Sequence, residues 1–207
     1  MRTGQPHSNR RTILRLASGI GMLSVAGCLG AATNGSDPHE SGPTSDHEHT
    51  HDHTHAEDTH LGGPVAHADV AMQSTDAGHH FSPHIVWIEP AGTVTWANES
   101  GAHTTTAYHP DVEKPLRIPE SAPPWDSGMF SEPGKTFERS FEDEGVYDYF
   151  CTPHEYRAMV GRVIVGEPSV DTQPALAPPQ DGLPEEAQTL LSRLNARTKD
   201  ALKQPDE

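Results

Sequence analysis

The stretch YDYFCTPHEYRAMVG, Tyr147 to Gly161, decides how this chain is read. Aromatics alternate up to Cys151, Thr152 and Pro153 follow, and His154 and Met159 come three and eight residues after the cysteine. The alternation predicts a strand ending at Cys151, and Pro153 predicts a tight turn. MVGRVIVGE predicts a second strand that stops at Pro168. One loop between two strands then presents a thiol, an imidazole and a thioether to one point. These are soft or borderline donors, which suit copper rather than magnesium or calcium, whose ligands are oxygens. Taken singly, Cys151 reads as a small buried hydrophobe and Met159 as core filling. Their combination with His154 points to a metal.

A trigonal copper site of two imidazoles and a thiolate, with a weak axial methionine, needs a second histidine. His103, in NESGAHTTTAYHP just after the run GTVTWAN, is the first candidate. His109, next to Pro110, is its competitor. Zinc prefers a tetrahedron and has little use for a thioether. HEYR at His154 is no zinc-protease start, since no histidine stands at the fifth position, and no C-x-x-C-H haem signature occurs.

Working outward, HIVWIEP and GTVTWAN are short β-rich runs, the second placing Val94 and Trp96 on one face. KTFERSFE aligns Phe137 with Phe141, and Gly145 marks the turn into VYDYFC. Short strands, regular turn signals and no helical period predict a β-sandwich of about ninety residues over 78–168. Tyr147, Tyr149 and Phe150 are expected to divide between core and surface. The segment from Pro110 to Gly128 is a long loop, and Trp125 in it is either a core lid or a surface patch.

The two ends have other textures. Residues 1–28 hold Arg10 and Arg11, an apolar run, and Val25-Ala26-Gly27-Cys28. This is the pattern of a twin-arginine export signal ending at a cysteine that takes lipid. With Cys28 lipidated, Cys151 has no disulfide partner, and a free thiol in an exported protein needs burial or a metal. Residues 29–77 are rich in Gly, Pro, Ser, Thr, Asp, Glu and His and read as a disordered tether. Its tract DHEHTHDHTHAEDTH, His47 to His60, is either a loose metal trap or a polar spacer. Residues 169–207 begin Pro-rich and end in a segment where Ala187, Leu190, Leu191 and Leu194 share one side. This is a short amphipathic helix that docks, or an appendage.

Charge narrows the partners. The chain carries 30 acids against 14 bases, and the first 28 residues hold four of those bases and no acid. The remainder therefore has a formal charge of −20, from 30 acids and 10 bases. Nucleic acid is excluded by repulsion, whereas a basic protein partner or a high-salt setting fits.

The motifs together resemble the cupredoxin superfamily, in particular small type 1 blue copper proteins of the plastocyanin, amicyanin and halocyanin kind. WANESGAH supplies Trp96, Asn98 and His103, and YDYFCTPHEYRAMVG supplies Cys151, Pro153, His154, Met159 and Gly161. The likeness extends to HHFSPHIVWIEPAGTVTW and covers roughly residues 78–167. The resemblance implies an all-β, Greek-key sandwich holding one copper ion. Equatorial ligands would be His103, Cys151 and His154, the axial ligand Met159, and Asn98 would brace the cysteine loop. Tyr156-Arg157-Ala158 departs from the usual small, glycine-bearing segment before the methionine, and the 110–128 loop is longer than in the simplest members.

The expected function is one-electron transfer, with His154 as the exit edge, by a monomer tethered through lipid on Cys28 to the outer face of the cytoplasmic membrane. The redox partner is expected to carry a basic docking patch. The histidine tract keeps a second role open: copper storage, delivery or sensing without electron transfer. The histidine pairs a catalytic second copper centre would need occur only in the tether, which argues against an enzyme.

Overall fold

A computed structural model describes residues 61–203. The readings placed on Arg10, Arg11, Cys28 and the tract His47 to His60 lie outside the described residues. Among the described residues, seven strands and one α-helix are laid down in the order β1 (Val65–Thr75), β2 (Gly78–Ser82), β3 (Ile85–Asn98), β4 (Thr106–Ala107), β5 (Thr136–Phe141), β6 (Gly145–Phe150), β7 (Val160–Val165) and α1 (Glu185–Ala201).

The strands run β2-β1-β3-β7-β6-β4, with β5 added on β3. The long β3 makes a sandwich of them. Ile85 to Ile88 pairs parallel with β7, whereas Gly92 to Ala97 pairs antiparallel with β5 and Thr93 to Asn98 parallel with β1. Between these halves Ala91 takes a left-handed φ of 64°. A strand that bends there can serve two layers. Val94 and Trp96 face inward from β3 as the alternation predicts, and both are fully buried. Trp96 centres the core, edge-on to Tyr149 at 5.3 Å and 6.1 Å from Trp125. Trp125 thus belongs to the core rather than to a surface patch.

Two expectations need correction. The stretch 29–77 is not tether throughout, because β1 lies inside it. Val70 and Met72 alternate into the core while the backbone pairs with both β2 and β3, and this burial offsets the entropy of ordering a polar-looking segment. Nor do the aromatics before Cys151 divide between core and surface. Every residue of β6 and of β7 is buried. Tyr147 and Tyr149 enter the main core, while Phe150, Val160 and Ile164 point to the other face, where Leu183, Ala187, Leu191 and Leu194 cover them. Of the two readings of the C-terminal segment, the docking helix is the one the structure shows: α1 forms the second wall of β6 and β7.

A buried ionic cluster fastens that wall. Asp148, Arg117 and Arg162 are each fully buried. The Nε of Arg117 donates to Asp148 Oδ2 at 2.8 Å, and that of Arg162 to Oδ1 at 2.7 Å. Arg162 also donates to Asn195 Oδ1 at 2.7 Å and to Thr198 Oγ1 at 3.0 Å, both on α1. Both guanidinium groups donate to the carbonyl of Ala175. Buried charges persist only when paired and fully hydrogen-bonded, and here the partners come from three separate parts of the chain.

Candidate metal centre

β6 delivers Cys151 at its end, and a 3-10 turn over Thr152–Arg157 carries His154 back toward it. Pro153 sits in the first turn, where its missing N–H leaves no bond unmade. Ala158 closes the turn with a left-handed φ of 60°, and the chain re-enters the sheet. The loop ties itself together: Cys151 N–H donates to Met159 O at 2.9 Å, and Met159 N–H to His154 O at 3.1 Å. Gly161, opposite Tyr149, admits the tyrosine ring, since a Cβ there would lie 2.4 Å from Tyr149 Cζ. His103 arrives from the loop after β3, clamped by reciprocal backbone bonds with Phe130 at 2.9 and 2.8 Å.

These elements bring three donors face to face. Cys151 Sγ lies 3.5 Å from His103 Nδ1 and 3.4 Å from His154 Nδ1, and the two nitrogens are 3.2 Å apart. The centre of such a triangle lies about 2 Å from each corner, which is the bond length of a first-row metal ion to imidazole or thiolate. The Nε2–H of His103 donates to Ser100 O at 2.9 Å, so its Nδ1 carries the free lone pair, directed at Cys151. One proton cannot satisfy three converging donors, and a soft cation can. The residues therefore fit copper.

Electrostatics agree. Burial pushes the Cys151 thiol up to about 11, against the pull of the Thr104 and His154 N–H groups. Without a metal the thiol stays protonated, and its complete burial shields it from oxidants. Burial lowers His103, and burial with neighbouring His79, His103 and Arg157 lowers His154 to about 4. Both rings are neutral near pH 7, as metal ligands must be. Burial lowers His84 as well. For each ring the unfolded chain binds the proton more readily than the fold does. Stability of the metal-free protein should therefore fall as pH drops below about 6.5, and for His154 the loss extends to about 4. Thermal unfolding of the metal-free protein should show a lower Tm at pH 5 than at pH 7. An unchanged Tm would mean these rings are not held neutral.

The other candidates resolve as follows. Met159 is fully buried in the same core cluster as Cys151. His109 is not at the centre; its Nδ1 accepts from Asp111 N–H at 3.1 Å and caps the short helix Pro110–Val112. Asn98 does not brace the cysteine loop. Its Nδ2 donates to Gly101 O and Glu132 O, both at 3.2 Å, so it steadies the loop that carries His103. Thr104 braces the cysteine instead: its N–H donates to Cys151 Sγ at 3.4 Å and its Oγ1 accepts from Thr152 N–H at 2.8 Å.

Sequence reasoning missed His79. It lies on β2, and one of its ring nitrogens falls within 4.8 Å of a ring nitrogen of His103 and of one of His154. The available signal was HHFSPH, a histidine pair at the head of a strand, but nothing local says which other strand it meets. His79, His103, His154 and Cys151 all fit as candidate ligands of one type 1 copper.

Comparison with known proteins bears on this donor set. The family described as copper binding proteins, plastocyanin/azurin family, matches residues 68–166. The chain is 36% identical over 102 residues to a halocyanin of Natronomonas pharaonis, covering 47% of this chain and 56% of that protein. It is 32% identical over 85 residues to a plastocyanin of Scenedesmus fuscus, covering 41% of this chain and 85% of that one. Its fold is similar to that of a pseudoazurin from Sinorhizobium meliltoi, with TM-score 0.51 and 21% identity, covering 65% of this chain and 98% of that one. Thus the chain spans little more than half the length of the halocyanin, and most of that of the algal plastocyanin.

Proposed function

We propose that this chain, which belongs to the plastocyanin/azurin family of copper-binding proteins, is a one-electron carrier working between protein partners outside the cytoplasm. The observation that carries the reading is the closed triangle of Cys151 Sγ, His103 Nδ1 and His154 Nδ1. In the proposed site these three residues would hold the copper, with Met159 as the fourth. Copper supplies a single-electron change between Cu(II) and Cu(I) in one ligand set.

The residues around the site serve that chemistry in three ways. Thr104 N–H stabilises charge on Cys151 Sγ, and complete burial of Cys151, His103 and Met159 keeps water out. Paired loops hold the donors in place, so a change of charge at their centre moves little protein. His154 is only partly buried, which makes its ring edge the exit. Tyr156, two residues on, is 55% exposed and offers an apolar contact beside it. A chain whose formal net charge is −16 would steer a basic partner toward encounter and release it readily in salt.

The anchored location, with lipid on Cys28 and the protein monomeric on the outer membrane face, belongs to the same proposal and rests on the sequence of residues 1–28. Among the described residues no helix is long and apolar enough to cross a membrane. Copper storage or delivery is the second reading, favoured by the tract His47 to His60 and opposed by the burial of the donors, since a carrier of cargo must let its copper go.

The test is to add one equivalent of Cu(II) to the chain from Cys28 to Glu207, without lipid, and record visible and EPR spectra with a voltammogram. An intense thiolate-to-copper band, narrow copper hyperfine splitting and a reversible one-electron wave are expected. A faint, ordinary Cu(II) spectrum would sink the assignment.

A further inference from the structure

We propose that His79 is not a copper ligand but the residue that positions one, holding the His154 ring through its face while Ser74 joins it to His103. The inference rests on the copper reading above. By distance alone His79 is a third imidazole for the ion. Orientation separates the two roles.

His79 and His154 are stacked, with centroids 3.7 Å apart and planes 11° from parallel. The lone pair of an imidazole lies in its ring plane. A ring nearly parallel to His154, and a stacking distance away, confines its lone pairs to a plane offset from the His154 plane in which the Nδ1 lone pair of His154 lies. They pass beside the centre of the donor triangle rather than through it. The network uses the remaining capacity. His103 Nε2–H is shared between Ser100 O at 2.9 Å and Ser74 Oγ at 3.1 Å. Ser74 Oγ, having accepted from His103, turns its own proton to His79 Nδ1 at 2.8 Å. The nitrogen of His79 nearest this network is thereby occupied.

The arrangement is closely built. Ser74 and His79 are paired directly across the β1–β2 hairpin, so both side chains leave the same face. Gly101 has φ +89°, and a Cβ there would sit 2.1 Å from Ser74 Oγ and 2.9 Å from His103 Nε2. No other residue lets the chain pass over that hydroxyl. His103 is fixed by hydrogen bonds at its outer nitrogen, whereas among the described residues His154 has no hydrogen bond at Nε2, and the stack restrains its ring. His79 thereby keeps His154 aimed inward before copper arrives and slows its escape once copper is held.

The experiment compares the wild type with His79→Ala and His79→Phe. In the metal-free proteins NMR relaxation reports the order of the His154 ring. In the loaded proteins transfer of copper to a chelator reports its release. Phenylalanine keeps a face and has no nitrogen, so H79F should match the wild type within about twofold in release and keep the His154 ring ordered. H79A should loosen the ring and speed release roughly two- to tenfold, the range an aromatic pair is worth. If H79F behaves like H79A, the imidazole nitrogen is what matters and the positioning role is overturned. If neither variant differs from the wild type, it is overturned as well. Should the wild type lack the thiolate-to-copper band, the copper reading fails, and ring order in the metal-free proteins still decides whether His79 positions His154.

Discussion

Replacing Asp148 with alanine should destabilise the protein by about 3–5 kcal/mol, the cost of leaving a buried charge without its partner. Asp148 is the single carboxylate between Arg117 and Arg162, and all three are fully buried. Its removal strands two guanidinium groups in a site shaped to exclude water, and their other partners are neutral: Ala175 O, Gln180, Asn195 and Thr198. Against a total stability of roughly 5–15 kcal/mol such a loss is a large fraction. Because Arg162 and Arg117 bind both α1 and the segment before it, the damage should spread to the wall over Phe150 and Val160. Urea unfolding followed by tryptophan fluorescence measures it. A shift below about 1 kcal/mol would mean that water reaches the cluster and the buried-pair argument does not apply. For the same reason a chain cut after Glu167 should fold poorly, since it exposes both the ionic cluster and the outer face of β6 and β7.

Replacing Cys151 with serine should abolish the thiolate-to-copper absorption altogether and leave an ordinary Cu(II) spectrum. Serine fits the volume, and the Thr104 N–H that faces Sγ would find an oxygen instead. The fold should survive, because Cys151 adds only a small side chain to a core built on Trp96, Phe141, Tyr147 and Tyr149. What disappears is the soft, polarisable donor that distinguishes a blue centre from any copper bound to imidazoles. Far-UV circular dichroism beside the visible spectrum separates these effects. An intense band surviving in C151S would place the chromophore away from Cys151 and overturn the triangle as its source.

The ligand loop was the most legible part of the protein. Cys151 and His154 stand within one turn of each other, so their spacing places them together whatever the rest of the chain does, and the turn chemistry of Pro153 is local. His103 was legible at one remove, through its place just after a strand. The brace was expected at Asn98 and lies instead at Thr104, because the angle at which the loop approaches decides which residue near His103 meets Cys151. β1 was lost in a polar stretch, although Ala68, Val70 and Met72 alternate within it. A weak alternation becomes a strand only when neighbours such as β2 and β3 are there to pair with it.

By itself the sequence determined an all-β core, a copper-type loop and the apolar side of a C-terminal helix, since each is written in residues a few positions apart. Tertiary structure alone decided three things: that the helix covers the outer face of β6 and β7, that Asp148 meets two arginines, and that His79 lies flat on His154. In each case the partners are joined by long-range packing. Asp148 and Arg117 are thirty-one positions apart, Arg162 and Thr198 thirty-six, and His79 and His154 seventy-five. No local period or spacing encodes such a meeting; it follows from which sheet face the backbone register turns toward which neighbour.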